Sequence, residues 1–284
     1  MSRRARNRIR TMALLLCALI PALTLRAQQP PQGVQGVVGG VGTPARGNTA
    51  PPKPAPRSAE GRALLGSSSP KDKGVWLPVF GITAPIAPIP TVPFQPWARA
   101  VYDDRQKHEL EPHARCKPSG VARQFLTPYG VEFVELPELQ RIYIFDIGGP
   151  HIYRTIYMDG RPHPRHTTPS FYGHSIGWWE GDTLVVDSTG FNEGFWLDRR
   201  GLPHTAALHT LERFTRVDSA TIRYEVTVVD SGAYTAPWKA AFDLRWESGT
   251  ELFEYVCQQS NFATSLMVGD GTTSNADQSS PIVP

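Results

Sequence analysis

Gly173-His174-Ser175-Ile176-Gly177 spells the G-x-S-x-G of a serine-hydrolase nucleophile elbow. Such an elbow needs a buried strand before the serine and a helix directly after it, so that the hydroxyl sits at the apex of a strained turn. Here the proline-rich stretch RPHPRHTTPSFYG leads in, and WWEGDTLVVD follows with a glycine at a hairpin turn. Both flanks are wrong, and the motif does not define a serine hydrolase. The hairpin points to other chemistry. If Glu180-Gly181 form its two-residue turn, His174 faces Asp187 across the strands, close enough to hydrogen bond. The carboxylate would then fix the imidazole tautomer and raise its basicity, as a general base requires. A three-residue turn would place Ser188 opposite instead.

A second polar residue stands out on an apolar background. In HIYRTIYM, Ile152, Arg154 and Ile156 alternate onto one face and Tyr153, Thr155 and Tyr157 onto the other. An unpaired buried guanidinium is very costly. Arg154 therefore anchors a protein carboxylate, or faces a cavity and meets an acidic or carbonyl-bearing ligand, or lies outside while the tyrosines point inward. Glu212 shares a face with Phe214 in HTLERF and is the natural internal partner. In the catalytic reading His174 is the base oriented by Asp187, Arg154 and Tyr234 hold an oxyanion or carboxylate, and Asp159 or Glu212 supplies a second carboxyl group. Trp179, Phe195, Trp196 and His209 complete the candidate binding residues. The long connection that carries Phe195 and Trp196 is either a lid over a barrel mouth or packs against the N-terminal wrap. All eight histidines fall between His108 and His209, yet none has H-E-x-x-H or another specific ligand spacing, so no metal and no cofactor is assigned.

The elements that must position these groups are strands. VEFVEL, QRIYIFDI, HIYRTIYM, HSIGWW, DTLVVDST, HTLERFTRV, TIRYEVTVV, WKAAFDLRW and ELFEYVC are short, rich in β-branched or aromatic residues, and separated by turn residues. No amphipathic helix of useful length lies between them, which excludes βαβ units and favours an antiparallel meander. Nine consecutive strands need their edges closed. The expectation is a mainly β protein, an antiparallel up-and-down barrel or strongly curled sheet of lipocalin-like architecture. One N-terminal helix should start at Pro96 and run to about Leu110, burying Trp97, Val101 and Leu110. Before it, prolines at 78, 85, 88, 90, 93 and 96 exclude a regular helix or central strand and predict an extended wrap.

The N-terminus reads as an export signal. Five arginines precede the apolar run from Met12 to Leu25, and cleavage is expected after Ala27. The run is too short for a bilayer span and is broken by Pro21, so no integral membrane segment is expected after cleavage. Cleavage removes six arginines and no acid, and the formal +3 less those six becomes −3. No basic patch remains to suggest a nucleic-acid partner. The mature chain keeps Cys116 and Cys257, which in a periplasmic or secreted protein read as a disulfide; two separate buried thiols are the alternative. The expected organisation is a signal peptide at 1–27, a disordered Pro/Gly-rich linker at 28–75, and a Pro-rich wrap with the helix at 76–130. An antiparallel β domain at 131–262 and a loose tail at 263–284 follow.

MDGRPHP, GHSIGWWEGDTLVVDSTGFN, WLDRRGLPHT and HTLERFTRVDS together resemble an uncharacterised family of exported, β-rich bacterial proteins, over a span from about Gln95 to Asn261. That resemblance implies export and the β fold, and it carries over no activity and no functional residues. The functional expectation is a barrel that binds a small, partly apolar or aromatic molecule and performs acid–base chemistry on it, such as hydration, elimination, isomerisation or hydrolysis. A carrier without chemistry and a surface or assembly module are the rivals.

Overall fold

The computed structural model describes residues 53–79, 84–109, 111–146, 150, 152–254 and 257. The expected signal peptide, the first part of the linker, the tail, Leu110 and His151 lie outside the described residues.

Nine strands close into one barrel in chain order. They are β1 (Gly74–Pro78), β2 (Val131–Leu136), β3 (Arg141–Asp146), β4 (Ile152–Tyr157), β5 (His174–Glu180), β6 (Thr183–Thr189), β7 (His209–Arg216), β8 (Thr221–Val229) and β9 (Trp238–Ser248). Alternation decides which side chains enter. Along β8, Ile222, Tyr224, Val226 and Val228 are buried, while Arg223, Glu225 and Val229 face out. The same rhythm runs through β7, where Thr210, Glu212, Phe214 and Arg216 are the buried set.

The ring has a parity condition. Each antiparallel pairing reverses strand direction, so nine pairings can close only if an odd number of them are parallel. Eight are antiparallel and one, β4 with β5, is parallel, joined through Ile156–Ser175 and Tyr157–Ile176. The expected meander is thus interrupted once. A parallel pair needs a crossover of about a dozen residues or more, and residues 158–173 supply it without a helix. The proline-rich stretch is this crossover.

The ninth strand is not the expected one. Glu251–Glu254 form no strand, and the ring is closed instead by β1, which pairs along its whole length with β9 and through Trp76 with Val131 of β2. No proline lies between Pro70 and Pro78, the end of β1, so the four residues before Pro78 are free to make ladder bonds. The segment expected as linker up to residue 75 is also packed from residue 53 onward. Ala63 and Leu65 are fully buried, Arg57 bonds Asp182, Arg62 bonds Glu135, and Arg216 donates to the carbonyls of Leu64 and Gly66.

At the level of Phe133, Phe214 and Tyr224 the barrel interior is filled by its own side chains and by a plug. A short 3-10 turn, Arg123–Leu126, places the Phe125 ring 5.4 Å from Phe214, 4.7 Å from Tyr224 and 6.5 Å from Phe133, all inward residues of β7, β8 and β2. Outside, helix α1 (Pro96–His108) begins with proline at its first position, as expected. Its buried side differs from the expected one. Ala98, Tyr102 and Arg105 are buried, whereas Trp97 is half-buried and donates its indole N–H to the Gly232 carbonyl at 2.8 Å. Apolar periodicity missed this face because an arginine is part of it. Arg105 donates to the Gly201 carbonyl at 3.0 Å and its guanidinium lies 4.7 Å from the Trp196 ring. Cys116 and Cys257 form a disulfide with a Cα–Cα distance of 5.7 Å. It fastens the segment after α1 to a residue beyond the last strand.

Candidate functional site

The β5–β6 hairpin turns at Gly181-Asp182, one residue later than expected, because Glu180 pairs with Thr183. Gly181 has φ 61°, the positive value that a two-residue primed turn asks of its first central residue. The ladder therefore slides by two residues: His174 faces Thr189, and Asp187 faces Ile176. A two-residue slide preserves the face, so His174 and Asp187 still share one side of the sheet. They are now diagonal neighbours, about 7–8 Å apart in a typical ladder, and each bonds His163 rather than the other.

His163, on the crossover, fills the gap. Its Nδ1 lies 2.9 Å from His174 Nδ1 and its Nε2 lies 3.2 Å from Asp187 Oδ1. His209 of β7 brings its Nε2 to within 2.7 Å of the same Oδ1. The four residues form a continuous chain, His174–His163–Asp187–His209. The Tyr157 ring of β4 stacks on His174, with centroids 5.1 Å apart and planes 18° apart. Arg161 lies over the other part of this wall, 4.1 Å from the Tyr157 centroid, and its Nε donates to Asp159 at 2.8 Å. That bond holds the Asp159 carboxyl down at about 2. An open groove of about 660 Å³ runs past these groups, lined by Asp159, Arg161, Pro162, His163, Pro164, Arg165 and His174.

The chain dictates its own tautomers. With Asp187 ionised, only a protonated His163 Nε2 can bond it, so neutral His163 accepts at Nδ1. His174 then donates from its Nδ1–H and keeps the Nε2 lone pair free. Burial, followed by the neighbouring His163 and Arg161, holds the His174 imidazole below its ordinary value and keeps it neutral. A proton taken up at His174 Nε2 can be passed from its Nδ1 to His163 Nδ1. The positive charge then rests on His163, beside the carboxylate. No atom heavier than hydrogen moves.

Arg154 is not part of this assembly. Its strand alternation puts it inside the barrel while His174, Asp187 and His209 lie on the outer wall. It is 1% exposed and forms a two-pronged pair with Glu212, the expected partner, donating also to Ser175 Oγ at 3.0 Å and Ser188 Oγ at 2.7 Å. Tyr224 donates its hydroxyl to Glu212 at 2.9 Å. The joint His174–Arg154 site is thereby corrected: a sheet wall separates the two. Ser175, the serine of the GHSIG motif, is a buried strand residue bonded to Arg154 and Ser188, not the apex of an elbow.

The other expected residues have structural settings. Tyr234 is buried, donates its hydroxyl to the Pro203 carbonyl at 2.6 Å, and has its phenol pushed up by burial. It holds two loops together and reaches neither Arg154 nor His174 through any bond among the described residues. Phe195 and Trp196 are buried, so their loop packs and is no exposed lid: the Phe195 carbonyl bonds His204 at 3.0 Å and Trp196 lies under Arg105. Asp198 in the same loop accepts the backbone N–H groups of Ile86, Arg200 and Leu202, which ties it to the N-terminal wrap. Trp179 carries the Arg62 guanidinium 4.1 Å above its ring and lines a separate groove of about 370 Å³ with Arg141, Met158 and Trp178. Asp159 and His209 do lie at the outer-wall cluster. His163 is the residue that sequence reasoning passed over, since nothing in a proline-rich loop marks where it will land. Among the described residues no group of three or more His, Cys, Asp or Glu is arranged to hold a metal, and both His163 nitrogens are already engaged in the chain.

The fold and cluster define a closed nine-stranded barrel whose polar candidate site is built on the outside of the wall, where the crossover returns over β5 and β6. No protein-family model matches the chain, and no curated protein or solved structure is significantly similar to it. No helix among the described residues is long and apolar enough to cross a membrane.

Proposed function

We propose that this is an exported barrel that binds a small, partly apolar or aromatic molecule in the groove beside His174 and moves a proton on it. The observation that carries this reading is the His174–His163–Asp187 chain, whose open end is the His174 imidazole at the groove. His174 is the base, His163 takes over the charge, and Asp187 with His209 orients the chain. Pro162 and Pro164 offer apolar contact, and Arg165 offers a cation to an acidic or carbonyl end. Proton transfer alone needs no cofactor, and the reaction class is elimination, hydration, isomerisation or hydrolysis. The disulfide suits an oxidising compartment, which agrees with the export reading of the N-terminus.

The test incubates the protein, and its His174→Ala variant, with a panel of small esters, lactones and unsaturated ring compounds, and follows substrate and product by mass spectrometry. A positioned general base contributes about a hundredfold or more. The expected result is conversion by the wild type that falls about a hundredfold in His174→Ala and less steeply in His163→Phe. Compounds retained but returned unchanged by both proteins would make this a carrier. Neither conversion nor retention across the panel would remove the small-molecule reading.

A further inference from the structure

The inside of the barrel is graded in size. One inward ring runs Trp179, Leu184, Phe214, Tyr224, Phe242 across β5 to β9, and Phe125 packs into it. The next ring toward the other end is Gly177, Val186, Glu212, Val226, Ala240, and the one after that is Ser175, Ser188, Thr210, Val228, Trp238. The last ring thus has three small hydroxyl residues side by side. All five of its members are buried, Ser188, Thr210 and Val228 completely and Trp238 to within 6%.

Two of its polar groups have no partner among the described residues: the Thr210 hydroxyl and the Trp238 indole N–H. Both side chains point inward by strand alternation, at one level, on either side of Val228. A buried polar group is nearly always hydrogen-bonded, so two orphans at one level call for a common explanation. A third group joins them. Ser175 Oγ accepts from Arg154 Nε and from the Ser188 hydroxyl, which leaves its own proton to give.

We infer that this small-residue end of the barrel interior is a buried binding site for a small, neutral, carbonyl-bearing molecule. The uncommitted groups are donors, or in Thr210 a donor and acceptor, and therefore select an oxygen acceptor. Neutrality follows from the charge already present: Glu212 balances Arg154 in a two-pronged pair, so no net positive charge is left to hold a carboxylate. Val186, Val226, Val228 and Ala240 give the body of the ligand an apolar wall. The site is distinct from the outer groove, since the sheet separates them, and it stands or falls independently of the proton-transfer reading.

The experiment uses cyclohexanone as probe and methylenecyclohexane, its hydrocarbon isostere, as control. Binding is read by calorimetry and by the Trp238 indole ¹H–¹⁵N resonance, assigned through Trp238→Phe. The expected result is saturable binding of the ketone with a downfield shift of that resonance, weakened about tenfold in Thr210→Val and in Trp238→Phe. The isostere should bind at least about tenfold more weakly. Thr210→Val preserves shape, so it keeps the test informative if Trp238→Phe fails to fold. Equal binding of both probes, no saturable binding, or ketone binding indifferent to Thr210→Val would overturn the inference. So would a crystal structure in which ordered water satisfies both groups and is not displaced by the ketone.

Discussion

Replacing Glu212 by glutamine tests whether the interior network is the structural keystone that its geometry implies. The substitution keeps size and one acceptor oxygen but removes the charge. Arg154 and Glu212 are 1% and 0% exposed, so the guanidinium would stay ionised inside the barrel with only Ser175, Ser188 and an amide as partners. Breaking a buried pair by removing one partner costs about 3–5 kcal/mol, most of it the uncompensated charge. For a domain of this size that corresponds to a fall in Tm of about 6–20 °C. The double variant Arg154→Met/Glu212→Leu is the informative control. Exchanging a buried ion pair for apolar side chains of similar volume is often neutral or stabilising by about 1–4 kcal/mol. Against this, the Tyr224 hydroxyl loses its acceptor, a cost of about 1–3 kcal/mol. The double variant should therefore lie within about 3 kcal/mol of wild type. Urea unfolding followed by circular dichroism, with slopes checked for two-state behaviour, measures both. A Glu212→Gln variant within about 1 kcal/mol of wild type would refute the reasoning, as would a double variant no more stable than the single one.

Acid stability should depend on His113. Burial, then Arg123, pushes its imidazole from 6.5 down to about 3, against Glu111 and the backbone at Lys117. The unfolded chain therefore binds a proton that the fold refuses, and stability falls as pH drops from 6.5 toward 3. The loss is at most about 5 kcal/mol, reduced by the partial exposure of the ring. Asp198 acts in the opposite sense. Burial raises its carboxyl from 3.8 to about 6, so the stability it adds is present below 3.8 and is lost as pH rises through 6. The two effects offset between about pH 4 and 6, and the acid limb should steepen below 4; His113→Gln should flatten it in urea titrations at pH 7, 5 and 3.5. Reduction of Cys116–Cys257, 141 residues apart, should cost about 5 kcal/mol in the chain-entropy model. Matching midpoints for the reduced protein and for Cys116→Ser/Cys257→Ser would confirm that the bond itself is responsible, and an unchanged midpoint on reduction would contradict it.

The strands, and therefore the class of fold, were legible because each carries its own evidence. TIRYEVTVV alternates with period two, and turn residues bound it. The pairing of Arg154 with Glu212 was legible for a similar reason: two charges on otherwise apolar faces can be buried only together. The strand statement is local; the pairing joins residues 58 apart and rests on the cost of burying either charge alone, not on local preference. The cysteine pair, bonded in the structure, was legible in the same way, from residue types in order.

What the chain alone left undetermined was decided by closure and by neighbours. Whether the hairpin turned at Glu180-Gly181 or at Gly181-Asp182 shifted the ladder by two residues, which kept His174 and Asp187 on one face but took away their direct contact. That the ninth strand would be Gly74–Pro78 depended on reaching both β2 and β9 at once. The odd ring then required a parallel step, and the crossover made by that step carried His163 to the outer wall, between His174 and Asp187. The face on which each polar group ended followed likewise, Arg154 inside and His174 outside. Sequence determines what each segment prefers, because side-chain size, charge and backbone freedom act over a few residues. Only the tertiary structure determines which distant groups meet, because a closed barrel must satisfy every pairing simultaneously and one shift in register or one crossover rearranges them all.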